Sequence, residues 1–109
     1  MITYSDFDKV EMRVGTIVEV QDFPEARNPA YKLIIDFGEY GLKKSSAQIT
    51  ALYSKEDLMN RQVIAVTNFP PKQIANFFSE CLVLGVANEN KAVVLLRTEA
   101  VVKNGMRVS

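Results

Sequence analysis

Along the chain, apolar and polar residues alternate in short runs with the period of two that belongs to β-strands. Residues 12–20, Met-Arg-Val-Gly-Thr-Ile-Val-Glu-Val, form the first run, rich in β-branched side chains that suit a pleated surface. Gly15 inside this run predicts a bulge or a sharp bend. Pro24, Asn28 and Pro29 interrupt the pattern between Gln21 and Ala30, which predicts a loop. Tyr31, Leu33, Ile35 and Phe37 then alternate with Lys32, Ile34 and Asp36 as a second strand, ended by Gly38. A third, more polar strand is expected from Leu42 to Ile49, and a fourth from Val63 to Phe69, where Pro70-Pro71 stops it. Cys81 to Ala87 is nearly continuous apolar, the pattern of a fully buried strand, and after a turn at 88–90 another strand spans Ala92 to Leu96. Asn104-Gly105 marks a tight turn, because both residues accept positive φ.

One helical signal interrupts the strands. Ser54 can cap residues 55–60, with Glu56 and Asp57 in the first turn where the helix dipole favours acids. Asp57 lies three residues after Ser54, the spacing of a capping box. Short strands with one helix between the third and fourth predict an all-β fold: a small closed five-stranded barrel of the OB type, with terminal arms outside it. Such barrels bind oligonucleotides through the face of strands 2 and 3 and the loops joining strands 1–2 and 4–5. An SH3-like or other Greek-key barrel is the competing topology. The 109 residues suffice for one core, so a single domain over 1–109 is expected.

Composition narrows the chemistry. The chain has no histidine and one cysteine, Cys81, so neither a His-based catalytic arrangement nor the usual nitrogen and sulfur zinc site can be assembled. No glycine-rich phosphate loop occurs. These absences predict a binding module rather than an enzyme, with no metal and no cofactor. No apolar run reaches the ~18 to 20 residues of a membrane span. With one cysteine and no leader-like start, a cytoplasmic location is expected. The net charge is zero, yet residues 1–40 carry four basic against eight acidic side chains, and residues 41–80 carry five against three. Any nucleic-acid contact must therefore come from a local basic patch and weaken with salt.

Two segments are candidates for such a patch. The connection Asn68 to Glu80 holds Lys72, two amide residues besides Asn68, the hydroxyl of Ser79 and the rings of Phe69, Phe77 and Phe78. Rings can stack on bases, amides and hydroxyls can read base edges, and lysine neutralises phosphate. The plainer reading places Phe69 and one of Phe77 or Phe78 in the core, with Pro70-Pro71 a rigid corner. The second segment is Lys43-Lys44-Ser45-Ser46-Ala47-Gln48, a phosphate-friendly strip if it faces the ligand, or a lysine-protected edge strand if it does not.

The same residues resemble a known family. Glu11-Met12-Arg13-Val14-Gly15-Thr16-Ile17 is similar to the opening strand of the tRNA-binding domain family, and Phe23-Pro24-Glu25-Ala26 to its following loop. The likeness continues through residues 32–38, 45–50, 68–74 and 79–85. The family's Ser-x-Gly-Met element falls on Ser79-Glu80-Cys81-Leu82, where Cys81 and Leu82 replace glycine and methionine. These versions of the motifs are most similar to the free-standing, export-related chaperone branch, the CsaA proteins. The resemblance implies an OB barrel, a homodimer, tRNA affinity, and binding of unfolded or precursor polypeptides. RNA contacts are then expected at Lys43, Lys44, Ser46, Gln48, Asn68, Lys72 and Ser79, and polypeptide contacts at Ile74, Phe77 and Phe78. A tRNA module without any chaperone role is the alternative.

Overall fold

The computed structural model describes residues 1–109. A capped turn of helix, α1 (Tyr4–Asp8), leads into the long strand β1 (Met12–Asp22). Strands β2 (Tyr31–Asp36), β3 (Leu42–Ala47) and β4 (Gln62–Val66) follow, with helix α2 (Lys55–Leu58) between β3 and β4. Beyond β4 come two short hairpins, β5–β6 (Lys72–Ile74, Phe77–Ser79) and β8–β9 (Gly85–Ala87, Val93–Leu95), separated by β7 (Leu82–Val83). The main sheet is antiparallel in the order β3-β2-β1-β4-β7. It curls into a nearly closed barrel because β1 serves two neighbours. Its first half pairs with β4, its second half with β2, and Thr16 pairs with both Gln62 and Asp36. Across the gap, Glu80 N–H donates to the Lys44 carbonyl at 2.7 Å and the Ser45 hydroxyl donates to the Cys81 carbonyl at 2.9 Å. This is the OB-type barrel predicted from the strand and helix order.

Inward positions of β2 make the centre of the core. Leu33, Ile35 and the adjoining Phe37 are fully buried with Ile17 and Val63, and Leu58 of α2 plugs the barrel end. The α2 capping box is complete: Ser54 Oγ accepts from the Asp57 amide at 3.1 Å, and the Asp57 carboxylate accepts from the Ser54 amide at 2.9 Å.

Two expectations need correction. Gly15 is not the bend, since it pairs in regular register with Val63; the irregularity of β1 lies between Ile17 and Glu19. What Gly15 provides is closeness: a Cβ there would stand 2.6 Å from Ile35 Cγ2 and 2.7 Å from the Phe37 ring. The apolar run Cys81–Ala87 is not one buried strand either. It breaks between β7 and β8, and only Cys81 is buried, while Leu82 and Val86 are exposed. The 68–80 connection between the predicted strands 4 and 5 holds the hairpin β5–β6. The C-terminal arm does not hang free. Residues 105–108 lie along the outer edge of β1, through Gly105 N–H to the Val14 carbonyl at 2.7 Å and Val108 N–H to the Met12 carbonyl at 2.9 Å.

Candidate nucleic-acid interface

On a strand, successive side chains leave opposite faces, and this decides which predicted residues meet. On β3, Ser45 is buried in the barrel, so Lys44 and Ser46 point outward while Lys43 shares the inward side with Ser45. Lys43 and Lys44 therefore do not form one strip. Hairpin β5–β6 obeys the same rule: Lys72 pairs with Ser79 and Ile74 with Phe77 on one face, leaving Gln73 and Phe78 on the other. The first face packs toward β3, where the Ser46 amide donates to Ser79 Oγ at 3.2 Å. Phe78 faces away and is 49% exposed, so it is separated from Ile74 and Phe77.

Between the 23–30 loop, the end of β3 and the hairpin lies a cleft of about 450 Å³. Ser46, Gln48, Lys72, Ile74 and Ser79 line it, five of the ten residues expected from sequence, together with Arg27 and Asn28 from the loop. Its floor is apolar, with Ala30, Ile49, Val83 and Val93. No carboxylate lines it. A neighbouring hollow of about 460 Å³ runs from Phe69-Pro70-Pro71 to Leu82, and Lys72, Ser79 and Leu82 border both.

Beside the cleft, on the outward face of β2 and β3, stands a basic and aromatic cluster. Phe23, buried, meets Phe77 edge-on with ring centroids 5.5 Å apart. Lys32 Nζ lies 5.1 Å from the Phe23 centroid and 5.7 Å from that of Phe77, and Lys44 Nζ lies 5.3 Å from Phe77. Sequence reasoning missed Phe23, Arg27, Asn28 and Lys32 as site residues. The signal for Lys32 was present, since it occupies a polar, outward position of an alternating strand.

Asn68 lies apart from the cleft. Its amide donates to the Lys9 carbonyl at 2.8 Å and its oxygen accepts from the Glu11 amide at 3.0 Å, which fastens the segment before β1. Cys81 is buried behind Ser45 and Ser79, and desolvation pushes its thiol up to about 11. It is packing, not a nucleophile.

The sequence profile of the tRNA binding domain family matches residues 12–107. The crystal structure of the CsaA chaperone protein from Picrophilus torridus shares 55% identity, with a TM-score of 0.94 and full coverage of both chains. That of chaperone CsaA from Bacillus anthracis shares 50%, with a TM-score of 0.95, over 100% of this chain and 99% of the other. The methionine–tRNA ligase of Thermococcus onnurineus is 36% identical over 107 residues, which cover 98% of this chain and 14% of the ligase. The likeness to the ligase is thus confined to one segment of it.

Proposed function

Because this chain belongs to the tRNA-binding domain family, we propose that it binds tRNA across the outward face of β2 and β3 and the cleft beside hairpin β5–β6. One observation carries the reading: a cleft bordered by Arg27 and Lys72 and lined by no carboxylate, on a chain of zero net charge. The two ion pairs of the structure, Arg13–Glu11 and Lys55–Asp22, involve neither cation. Cations without acidic partners favour a polyanion, because phosphate neutralisation with counterion release drives such binding. Ser46, Gln48 and Asn28 offer polar groups to sugar and base edges. Titrating labelled total tRNA over a range of salt tests the reading. Affinity should fall steeply, and Arg27→Gln or Lys72→Gln should each lower the logarithmic salt slope by about one. An affinity indifferent to salt contradicts it.

A second reading has its own support. The cleft floor is apolar, Phe78 and Leu82 are exposed nearby, and two similar structures are those of proteins named as chaperones. An unfolded or precursor polypeptide, as in protein export, fits such a floor through its apolar side chains, with Ile74 and Phe77 at the hairpin end. In this reading the protein works as a cytoplasmic homodimer, since Ile2, Tyr4, Val101 and Met106 of the two arms remain exposed after the C-terminal arm has folded back. Competition between total tRNA and a reduced, unfolded polypeptide separates the cases: mutual displacement places both ligands in one cleft, and tRNA binding without any polypeptide binding leaves the tRNA module alone.

A further inference from the structure

Lys32 and Lys44 present an electrostatic problem that the fold alone leaves unsolved. Both ammonium groups approach the Phe77 ring, at 5.7 and 5.3 Å, and neither takes part in an ion pair. The one carboxylate fixed against this stretch of β3, Glu80, is turned to the Lys44 backbone amide at 2.9 Å rather than to its side chain. The ring quadrupole attracts each ammonium group, but it neutralises neither. The surroundings of Phe77 are also occupied, by the Phe23 ring inclined at 65° to it and by the two lysines, and Phe77 itself is only partly exposed. The ring is placed to aim cations rather than to offer an open platform for a base.

We propose that Lys32 and Lys44, held over Phe77 by the packing of the 23–30 loop and hairpin β5–β6 on β2 and β3, form a subsite for one phosphate group. The subsite flanks the cleft, since Lys32 is the register partner of Ser46, which lines it. Taking the phosphate to be an RNA phosphodiester rests on the tRNA reading, but the chemistry of the site does not. Lys32 and Lys44 each donate to a different non-bridging oxygen, and Phe77 acts as a positioning residue that keeps the two ammonium groups convergent. Charge-assisted bonds of this kind are stronger than neutral ones and need no base.

The test uses the full chain and reads NMR shifts of the Phe77 ring and of the Lys32 and Lys44 amides. Inorganic phosphate should produce saturable shifts at these positions that chloride at equal ionic strength does not. An abasic oligonucleotide should reproduce them as fully as the same oligonucleotide with bases. Lys32→Gln and Lys44→Gln should each weaken phosphate binding by about tenfold, the double variant should abolish it, and Lys103→Gln should change nothing. Melting curves of the variants show that the fold survives. Shifts that require bases overturn the proposal in favour of stacking on Phe77. Absence of any shift with phosphate or the abasic oligonucleotide overturns it as well, and tRNA binding by the same sample then shows that the broader reading stands without it. Phosphate shifts on a chain that fails to bind tRNA uphold the subsite and remove the tRNA reading.

Discussion

Cys81 sits where β3, the hairpin and β7 meet, 5% exposed, with its carbonyl accepting from Ser45 and Ser79 hydroxyls. Desolvation holds its thiol protonated to about 11, against an ordinary value of 9.0. Thiolate is the reactive form, so iodoacetamide at pH 8 should leave the native protein unmodified and label it completely once unfolded. A raised folded value also sets the sign of a pH effect: the thiol's contribution is present below 9.0 and is lost as pH rises toward about 11. Melting temperature should therefore fall across that alkaline window, and Cys81→Ala should flatten the fall. Gly15 makes a sharper case. The atoms that a Cβ would meet belong to Ile35 and Phe37, both without exposure and so without room to yield. Gly15→Ala is expected to cost about 1 to 3 kcal/mol as overpacking, measured by denaturant unfolding. The sequence marks Gly15 as special for a wrong reason, because a glycine in a strand announces either a bend or a close approach, and only the partners across the barrel decide which.

At the scale of elements, legibility follows length and period. β1 to β4 and α2 were each readable to within a few residues, because alternation or a capping box repeats their signal. Hairpin β5–β6 was not, since its strands have three residues each and follow Pro70-Pro71, and its turn runs through Ala75 at φ 52°. A left-handed alanine carries no turn signature. The hairpin nevertheless decides the site, by setting Phe77 toward β3 and Phe78 toward solvent. Phe78→Ala should change stability by less than about 1 kcal/mol. Phe77→Ala, which also removes the ring packed against Phe23, should lose more, though less than the ~3 to 5 kcal/mol of a fully buried ring. Thermal melts of the pair check the difference. If polypeptides bind here, Phe78→Ala separates capture from folding. The candidate list was half legible for the same reason: Ser46, Gln48, Lys72, Ile74 and Ser79 came together in the cleft, whereas Lys43 and Asn68 depended on face and partner, which one-dimensional order does not reveal.

Taken whole, the molecule is closed by long-range contacts between its two ends. The Arg13 guanidinium stacks 3.7 Å from the Tyr40 ring centroid, pairs with Glu11 at 2.7 Å and donates to the Gly105 carbonyl at 2.7 Å, while Arg107 donates to the Asp8 carbonyl. The Arg13 hydrogen bond holds the Glu11 carboxyl below its ordinary value of 4.5, so its contribution is present above that value and is lost as the carboxylate takes up a proton at lower pH. Under acid, the protection of the amides of residues 105–108, measured against their intrinsic exchange rates, should fall while that of β2 is retained. Should the proposed homodimer form through the arms, light scattering will show a dimer for the full chain and a monomer for a version ending at Thr98; a monomeric full chain at micromolar concentration removes that part of the reading. The arm along β1 also imposes an order in time. During synthesis β1 is made early, yet the outer edge of its first half waits for residues 105–108. On the ribosome, therefore, a growing chain carries an open strand edge until residues 105–108 have been made and have left the exit tunnel, and the barrel acquires its finished surface only then.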